Sequence, residues 1–290
     1  MSIPSCLVAI LSLLLAMSPG LAHAWDSSEA KEVARQVSFG GACAKCELSG
    51  RKLSGAHFDG ANFSGATLVG SDLSDARFTG AVFAGADLSR ADLSDAVMTG
   101  ANFTTATLSN ARLRNVDARG ANFAGAVMAN SDFREIVAAG ANFSRAILAR
   151  SQFNEANLRG AILTKVDGRI ANFRDAELQG ANLTNGRFEG ASFRDASLDG
   201  AQLSGANLTG ADFRAARLRR TLLQGVDLAS VKNLDQSQID EACTDATTRL
   251  PKGLVSRGCK GKIWHMPPAP PPAPSPPAPP PPSPRYISWP

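Results

Sequence analysis

Hydrophobic residues recur at every fifth position through the middle of the chain, as in GADLSRADLSDAVMTGANF. From Leu48 to Leu228 the pattern runs without an insertion or deletion, and 32 of its 37 positions are Leu or Phe. Ala stands two residues earlier at 26 of the 37. A period of five matches neither the 3.6 of an α-helix nor the 2.0 of a flat strand. The chain is therefore predicted to turn a corner in each repeat.

A longer period of twenty residues is superimposed on the first. Phe recurs every twenty residues from Phe63 to Phe143, and a second series runs from Phe133 to Phe213. Gly also recurs at this spacing, at a position where the absence of Cβ permits a tight turn. Side chains twenty residues apart are expected to stack in successive coils, with Leu, Phe and Ala inside.

These repeats resemble the pentapeptide-repeat family, whose pattern A-(D/N)-(L/F)-x-x is visible in GANFSGATLVGSDL and SGANLTGADF. The resemblance covers residues 43–230 and never loses its register. It implies an all-β fold, a right-handed quadrilateral parallel β-helix, in which four repeats make one coil. Coils paired like adjacent strands rise about 4.8 Å each, so about nine coils would make a rod of about 45 Å. Both ends of such a solenoid would expose unpaired strand edges, so a cap is expected at each end.

The N-terminal segments have a different composition from the repeats. Residues 1–24 contain the apolar run LVAILSLLLA followed by AHA. This run is short for a membrane span, and the pattern is typical of a signal peptide cleaved after Ala24. A retained anchor is the alternative, since no Lys or Arg precedes the run. Residues 25–42 are predicted to form a short helical cap that begins at Asp26.

The C-terminal segments leave the five-residue register. Residues 231–263 are predicted to form a second cap. Residues 264–290 are rich in Pro and Ala, and this composition predicts a disordered tail extended as polyproline II. The tail is interpreted as a spacer, and its P-x-x-P spacing leaves a docking ligand as the alternative.

Four cysteines remain once Cys6 leaves with the signal peptide: Cys43, Cys46, Cys243 and Cys259. An even number in an exported chain predicts disulfides. Cys43 and Cys46 fall on inward positions of the first coil, where a disulfide would lock the coil; a zinc or redox site is the alternative for C-x-x-C. The segment after the repeats resembles the tail of exported bacterial members of the family. This resemblance implies that Cys243 pairs with Cys259.

The net charge and the motifs limit the classes of function that the sequence predicts. The net charge of +4, from 30 basic and 26 acidic residues, is too small to predict a nucleic-acid partner. No Ser, His and Asp grouping, phosphate loop or paired carboxylates can be assembled outside the repeat pattern itself. The sequence therefore predicts no enzyme, no cofactor, no metal and no small-molecule substrate.

Two charged columns appear at the twenty-residue spacing. An acidic column, which includes Asp95, Glu135 and Asp195, runs beside a basic one. Cross-coil ion pairs would account for both columns. The alternative is a face that engages an anionic partner. The residues of this predicted interaction face are Arg114, Arg134, Arg174, Arg194 and Arg214.

The Leu or Phe position falls on a small residue three times, at Ala118, Ala138 and Gly168. In each case the residue two positions earlier, normally Ala, is larger. This exchange within one side predicts that core volume is conserved. At Gly168 the exchange with Val166 is incomplete, so a small void or a shallow ligand site is the alternative there.

Together these features predict a non-enzymatic protein, periplasmic or extracellular, that acts as a rigid protein-interaction or envelope scaffold. Its partner would be an unknown protein or envelope component, and a homodimer is left open. One alternative is an accessory factor or enzyme acting on cell-envelope polymers. Another is a DNA mimic that binds type II topoisomerases, as some members of the family do, but that function requires a strongly acidic rod and no export signal.

Overall fold

The computed structural model describes residues 41–259. The signal peptide expected at 1–24, nearly all of the cap expected at 25–42 and the tail expected at 264–290 lie outside the described residues. Within the described range the backbone forms isolated parallel bridges, each one residue long, instead of long strands.

All but the last two bridges join residues twenty positions apart, beginning with Ala42 and Asn62. Bridges occur at every fifth residue, so four of them complete one coil. Toward the C-terminus the spacing lengthens slightly, and Leu222 pairs with Cys243. The fold is therefore a parallel β-helix with four sides and twenty residues in each coil, as the two sequence periods predict.

The corner between two sides is a β-turn that begins at the Leu or Phe position. The amide of Ala61 donates to the carbonyl oxygen of Phe58 at 3.0 Å, and Gly60 between them has a φ of 69°. Type II turns require a positive φ at this third residue. The same conformation recurs every five residues, at glycines and at residues such as Asn110 and Asp175. The turn thus explains the five-residue period and the recurrent glycines.

The four sides are numbered by their inward Leu or Phe residues in chain order. Side 1 carries Phe63 and the residues spaced by twenty from it, side 2 carries Leu68 and its equivalents, side 3 carries Leu73 and side 4 carries Phe78. On each side the bridge residue precedes the inward residue, and two corner residues follow it.

The inward residues of all four sides form one continuous buried core. On side 1 the rings from Phe63 to Phe143 stack with centroids 4.8–5.1 Å apart. On side 3 the rings from Phe133 to Phe213 stack at 4.6–5.2 Å. These separations match the spacing of paired backbones, so the rings repeat at the interval that the coil sets.

The C-terminal end of the coils is covered by a short helix, α1, at Gln236–Glu241, with Asp235 as its N-cap. The buried side chain of Gln238 donates from Nε2 to the carbonyl oxygens of Phe213 and Ala216, both at 2.8 Å. Those carbonyl groups belong to the last complete coil and need hydrogen-bond donors once they are covered. Within residues 41–259 no helix has the length and apolar character needed to cross a membrane.

Candidate interaction faces

The cysteines lie at the two ends of the described coils. Cys43 and Cys46 are joined by a disulfide, with Cα atoms 5.2 Å apart. Cys243 and Cys259 are free thiols. The disulfide expected between them is therefore not formed in this structure, and their pairing stays a prediction. Burial, together with the neighbouring Cys259, raises the pKa of the Cys243 thiol to about 12.

The basic column predicted as an interaction face lies at the corner that follows side 3. Arg114 reaches across to the next coil, where its Nη2 lies 2.6 Å from Oε1 of Glu135. Nε of Arg174 lies 3.1 Å from Asp175 and 3.8 Å from Asp195 in the next coil. Pairing across coils, the simpler of the two explanations for this column, is therefore present at these positions.

Two further arginines of the column form ion pairs with bridge residues of side 3. Arg134 forms an ion pair with Asp132, and its hydrogen bond is the main reason why the pKa of that carboxyl lies below its ordinary value. Nε of Arg194 lies 3.9 Å from Asp212. Among residues 41–259, Arg214 has no carboxylate within the 4.0 Å that defines an ion pair. Side 3 thus neutralises most of its own charge.

Side 3 also carries an open depression of about 580 Å³ where Asn154 interrupts the basic column. Asn172 donates from Nδ2 to the side-chain oxygens of Gln152 and Asn154, both at 3.2 Å. Arginine and glutamate side chains share the lining, so the depression has no dominant charge. The described part of the chain contains no group of three or more His, Cys, Asp or Glu side chains placed to hold a metal.

The space beside Gly168 on side 2 is occupied by a ring from the next coil. A Cβ atom placed on Gly168 would lie 2.8 Å from Cδ1 of Phe188 and 3.4 Å from Cγ1 of Val166. The same ring would lie 2.4 Å from a Cβ atom on Gly186. The compensation by Val166 that the sequence predicts is therefore incomplete, because the ring of Phe188 also occupies the space beside Gly168. A void or ligand site at Gly168 is not what the structure shows.

The outer surface of side 2 has features that sequence reasoning missed. Ile147 is 40% exposed and Ile170 is 56% exposed, and they are the large exposed hydrophobic residues of the described repeats. Ile170 occupies a corner with a φ of 59°. A β-branched residue is unfavourable in this left-handed conformation. Thr105 is also β-branched with positive φ, but its hydroxyl donates to the carbonyl of Thr104 at 2.7 Å.

The signal for this feature was present in the twenty-residue alignment. The corner column that contains Ile170 holds Gly at 50, 70, 190 and 210, Asn at 110 and 130, and Arg at 90 and 150. Ile170 is thus the one apolar side chain in that column within the described repeats. Reading the corner columns for residues unsuited to positive φ would have located it.

Comparison with known families agrees with this architecture. The family of pentapeptide repeats matches residues 43–80, 171–210 and 206–243. A second model, described as a pentapeptide repeat region, matches residues 71–143 and 86–163. These matches together cover most of residues 43–243.

Several solved structures are similar to the chain. HetL, a pentapeptide repeat protein involved in heterocyst differentiation regulation from the cyanobacterium Nostoc sp. strain PCC 7120, is 29% identical, with 67% of this chain and 94% of that chain covered and a TM-score of 0.34. A pentapeptide repeat protein from the thylakoid lumen of Arabidopsis thaliana is 37% identical over 37% of this chain and 70% of its own, with a TM-score of 0.29.

QnrB1, a plasmid-mediated fluoroquinolone resistance protein, is 22% identical, with 71% of this chain and 94% of that chain covered and a TM-score of 0.37. No curated protein sequence matches the chain significantly.

Proposed function

Because the chain belongs to the pentapeptide-repeat family, we propose that it is a non-enzymatic, exported scaffold whose rigid β-helix binds a protein or envelope component through its flat sides. The observation that carries this proposal is the bridge pattern, which continues through successive coils from Ala42 to Lys232. The interior of these coils is filled by Leu, Phe and Ala. Such a structure presents fixed columns of side chains, and binding is the activity that fixed columns support best.

In this proposal residues 1–24 are removed on export to the periplasm or the cell exterior. Residues 25–42 and 231–263 close the two ends of about nine right-handed coils, and residues 264–290 form a disordered spacer. No cofactor or metal takes part. The disulfide between Cys43 and Cys46 supports an oxidising compartment, because such bonds persist outside the reducing cytosol.

Affinity capture from the native envelope fraction tests the scaffold function. We expect the exported chain to begin at Trp25 and to retain one partner in a fixed ratio. A chain ended at residue 263 should retain the same partner, since the tail is proposed as a spacer. A chain recovered only from the cytosol with residues 1–24 intact would contradict export. Loss of the partner on removal of the tail would show that the tail is the ligand.

The enzymatic alternative is tested with the same purified chain. A screen against cell-envelope polysaccharides and peptides should show no turnover, because the arginines that line the depression on side 3 are held in ion pairs, Arg114 with Glu135 and Arg134 with Asp132. Turnover that copurifies with the chain would contradict the scaffold function and show that the chain is an accessory enzyme. The topoisomerase-binding alternative is not favoured, because basic and acidic residues share the surface of the coils.

A further inference from the structure

We propose that side 2 binds an acidic protein segment that also carries apolar side chains. The binding surface is the side 2 patch, defined as Arg145, Ile147, Arg150, Lys165 and Ile170. All five side chains are exposed. The proposal rests on the scaffold function and deepens it by naming one face and one class of partner.

The backbone hydrogen bonds place these residues together. The amide of Arg145 donates to the carbonyl of Thr164 at 2.9 Å, so Arg145 stacks against Lys165 in the next coil. The amide of Arg150 donates to the carbonyl of Arg169 at 2.9 Å, so Arg150 lies beside Ile170. Adjacent coils are about 4.8 Å apart. The patch therefore occupies two neighbouring coils, with one residue pair at each corner of side 2.

Ile147 lies between those two corners. It is the bridge residue of side 2 and pairs with Val127 in the preceding coil and with Asp167 in the following one. Its exposed side chain is therefore flanked by Arg145 at one corner and Arg150 at the other. Across this coil an apolar side chain therefore lies between two cationic ones, whereas the following coil holds Asp167 at the same position.

The cations of the patch form no ion pair within the part of the chain that the structure describes. Among residues 41–259, none of Arg145, Arg150 and Lys165 has a carboxylate within 4.0 Å. The nearby carboxylates are already engaged: Asp167 lies 2.7 Å from Arg169, and Glu189 lies 3.4 Å from Arg187. Stacking Arg145 on Lys165 brings two like charges together, which is unfavourable until an anion approaches.

Ile170 adds a second unfavourable feature that a partner would explain. Its left-handed backbone is disfavoured for a β-branched residue, and its side chain remains 56% exposed. Local strain of this kind is found where a side chain serves a binding site. An extended segment with alternating acidic and apolar residues would cover the two isoleucines and neutralise the cations. A purely anionic polymer would leave the isoleucines uncovered.

The test uses the intact mature chain and a fluorescein-labelled peptide of alternating Glu and Leu. We expect saturable binding that weakens with salt. Ile170→Asn should weaken it about 10-fold or more while raising the melting temperature, because Asn occupies the same corner at positions 110 and 130. The double variant R145Q/K165Q should weaken binding to a similar extent. Loss of affinity with a gain in stability separates a binding role from a folding defect.

Arg90→Gln is the matched control. Arg90 lies in the same corner column as Arg150, with a φ of 59°, but three coils away. We expect its effect on affinity to stay within about 2-fold. Absence of peptide binding, or equal effects of all variants, would overturn the proposal. Equal binding of a Glu and Ser peptide would overturn the apolar role of Ile147 and Ile170.

A second binding experiment uses vesicles of phosphatidylcholine with and without phosphatidylserine, which distinguishes a lipid surface from a protein partner. Binding to the anionic vesicles that is lost in Ile170→Asn, with no binding to the Glu and Leu peptide, would assign the patch to a lipid surface and overturn the protein partner. If Ile170→Asn still captures the native envelope partner, the side 2 assignment fails while the scaffold function stands. If the wild-type chain captures no partner and binds no peptide, both fail.

Discussion

Side 3 and side 2 are built from the same five-residue repeat, yet they satisfy packing and charge differently. Side 3 stacks Phe on Phe and pairs Arg114 with Glu135 in the next coil. Side 2 passes through Gly168 and fills that space with Phe188. Within residues 41–259, Arg145 and Lys165 at the edge of side 2 have no carboxylate within 4.0 Å. The regular side gains its stability from identical neighbours. The irregular side shows that one coil can depart from the pattern when the next coil compensates for it.

The departure on side 2 stays local because the energy of a solenoid lies mainly in contacts between neighbouring coils. Gly168, Gly186 and Phe188 form one packing unit across two coils. The exposed Ile170 lies on the same side and in the same short span. A regular core therefore permits a local exception on its surface.

The largest effect is expected from Gly168→Leu. The new side chain would occupy the space of the Phe188 ring, and such overpacking costs about 1–3 kcal/mol in the free energy of unfolding. Phe188→Leu in the same chain should recover most of the loss, because Leu is the usual residue of this side 2 column. Urea unfolding of both variants measures the effect. A stabilised single variant would show that the space beside Gly168 is empty.

Ile170→Asn should have the next largest effect and the opposite sign. Relief of the left-handed strain is expected to raise the free energy of unfolding by about 1 kcal/mol. Arg150→Asn is the matched control, since Arg150 has a φ of 62° in the same column but is not β-branched. Its gain should be smaller. Thermal unfolding of both variants measures the two gains in stability. Equal gains would show that β-branching of Ile170 is not the cause of the strain.

On side 3, Arg174→Gln removes contacts with Asp175 and Asp195 at an exposed corner. Exposed pairs contribute at most about 1 kcal/mol, so the free energy of unfolding should fall by less than that amount. The loss should shrink at high salt. A loss of several kcal/mol that salt does not change would mean that the column holds the coils together in some other way.

The smallest effect is a dependence on pH. The hydrogen bond from Arg134 lowers the pKa of Asp132 from its ordinary value of 3.8. A carboxyl with a lowered folded pKa contributes stability above pH 3.8, and that contribution is lost as the pH falls through the folded pKa. The difference in melting temperature between wild type and Asp132→Asn should therefore be present at pH 7 and shrink below pH 3.8. A constant difference down to pH 2 would contradict this cause.

The coil could be predicted from the sequence because its two periods follow from local constraints. Every fifth residue must point inward, and the corner before Ala61 must adopt the positive φ that Gly60 supplies. Packing at Gly168 could not be predicted in full. The sequence shows Val166 two positions away, whereas the ring that fills the space belongs to Phe188, twenty residues on, and its orientation depends on Gly186.

For the surface, the sequence predicts which residues share a column but not which residues form ion pairs. Their alignment follows from the twenty-residue coil, but the choice of partner depends on side-chain conformation. Arg114 pairs with the next coil, whereas Arg134 turns back to Asp132 two residues earlier. The cations of side 2 that have no carboxylate partner among residues 41–259 can be identified only from these side-chain conformations. The pairing of Cys243 with Cys259 depends likewise on oxidation, which sequence and fold alone do not determine.

One measurement tests the central claim, that side 2 and not side 3 is the binding face. Two variant chains, R145Q/K165Q/I170N on side 2 and R114Q/R174Q/R194Q on side 3, would be compared with wild type for capture of the native envelope partner at equal concentration of folded protein. The account predicts that the side 2 variant loses the partner and the side 3 variant keeps it. Loss of the partner by the side 3 variant alone would contradict the account and restore the arginine column as the interaction face.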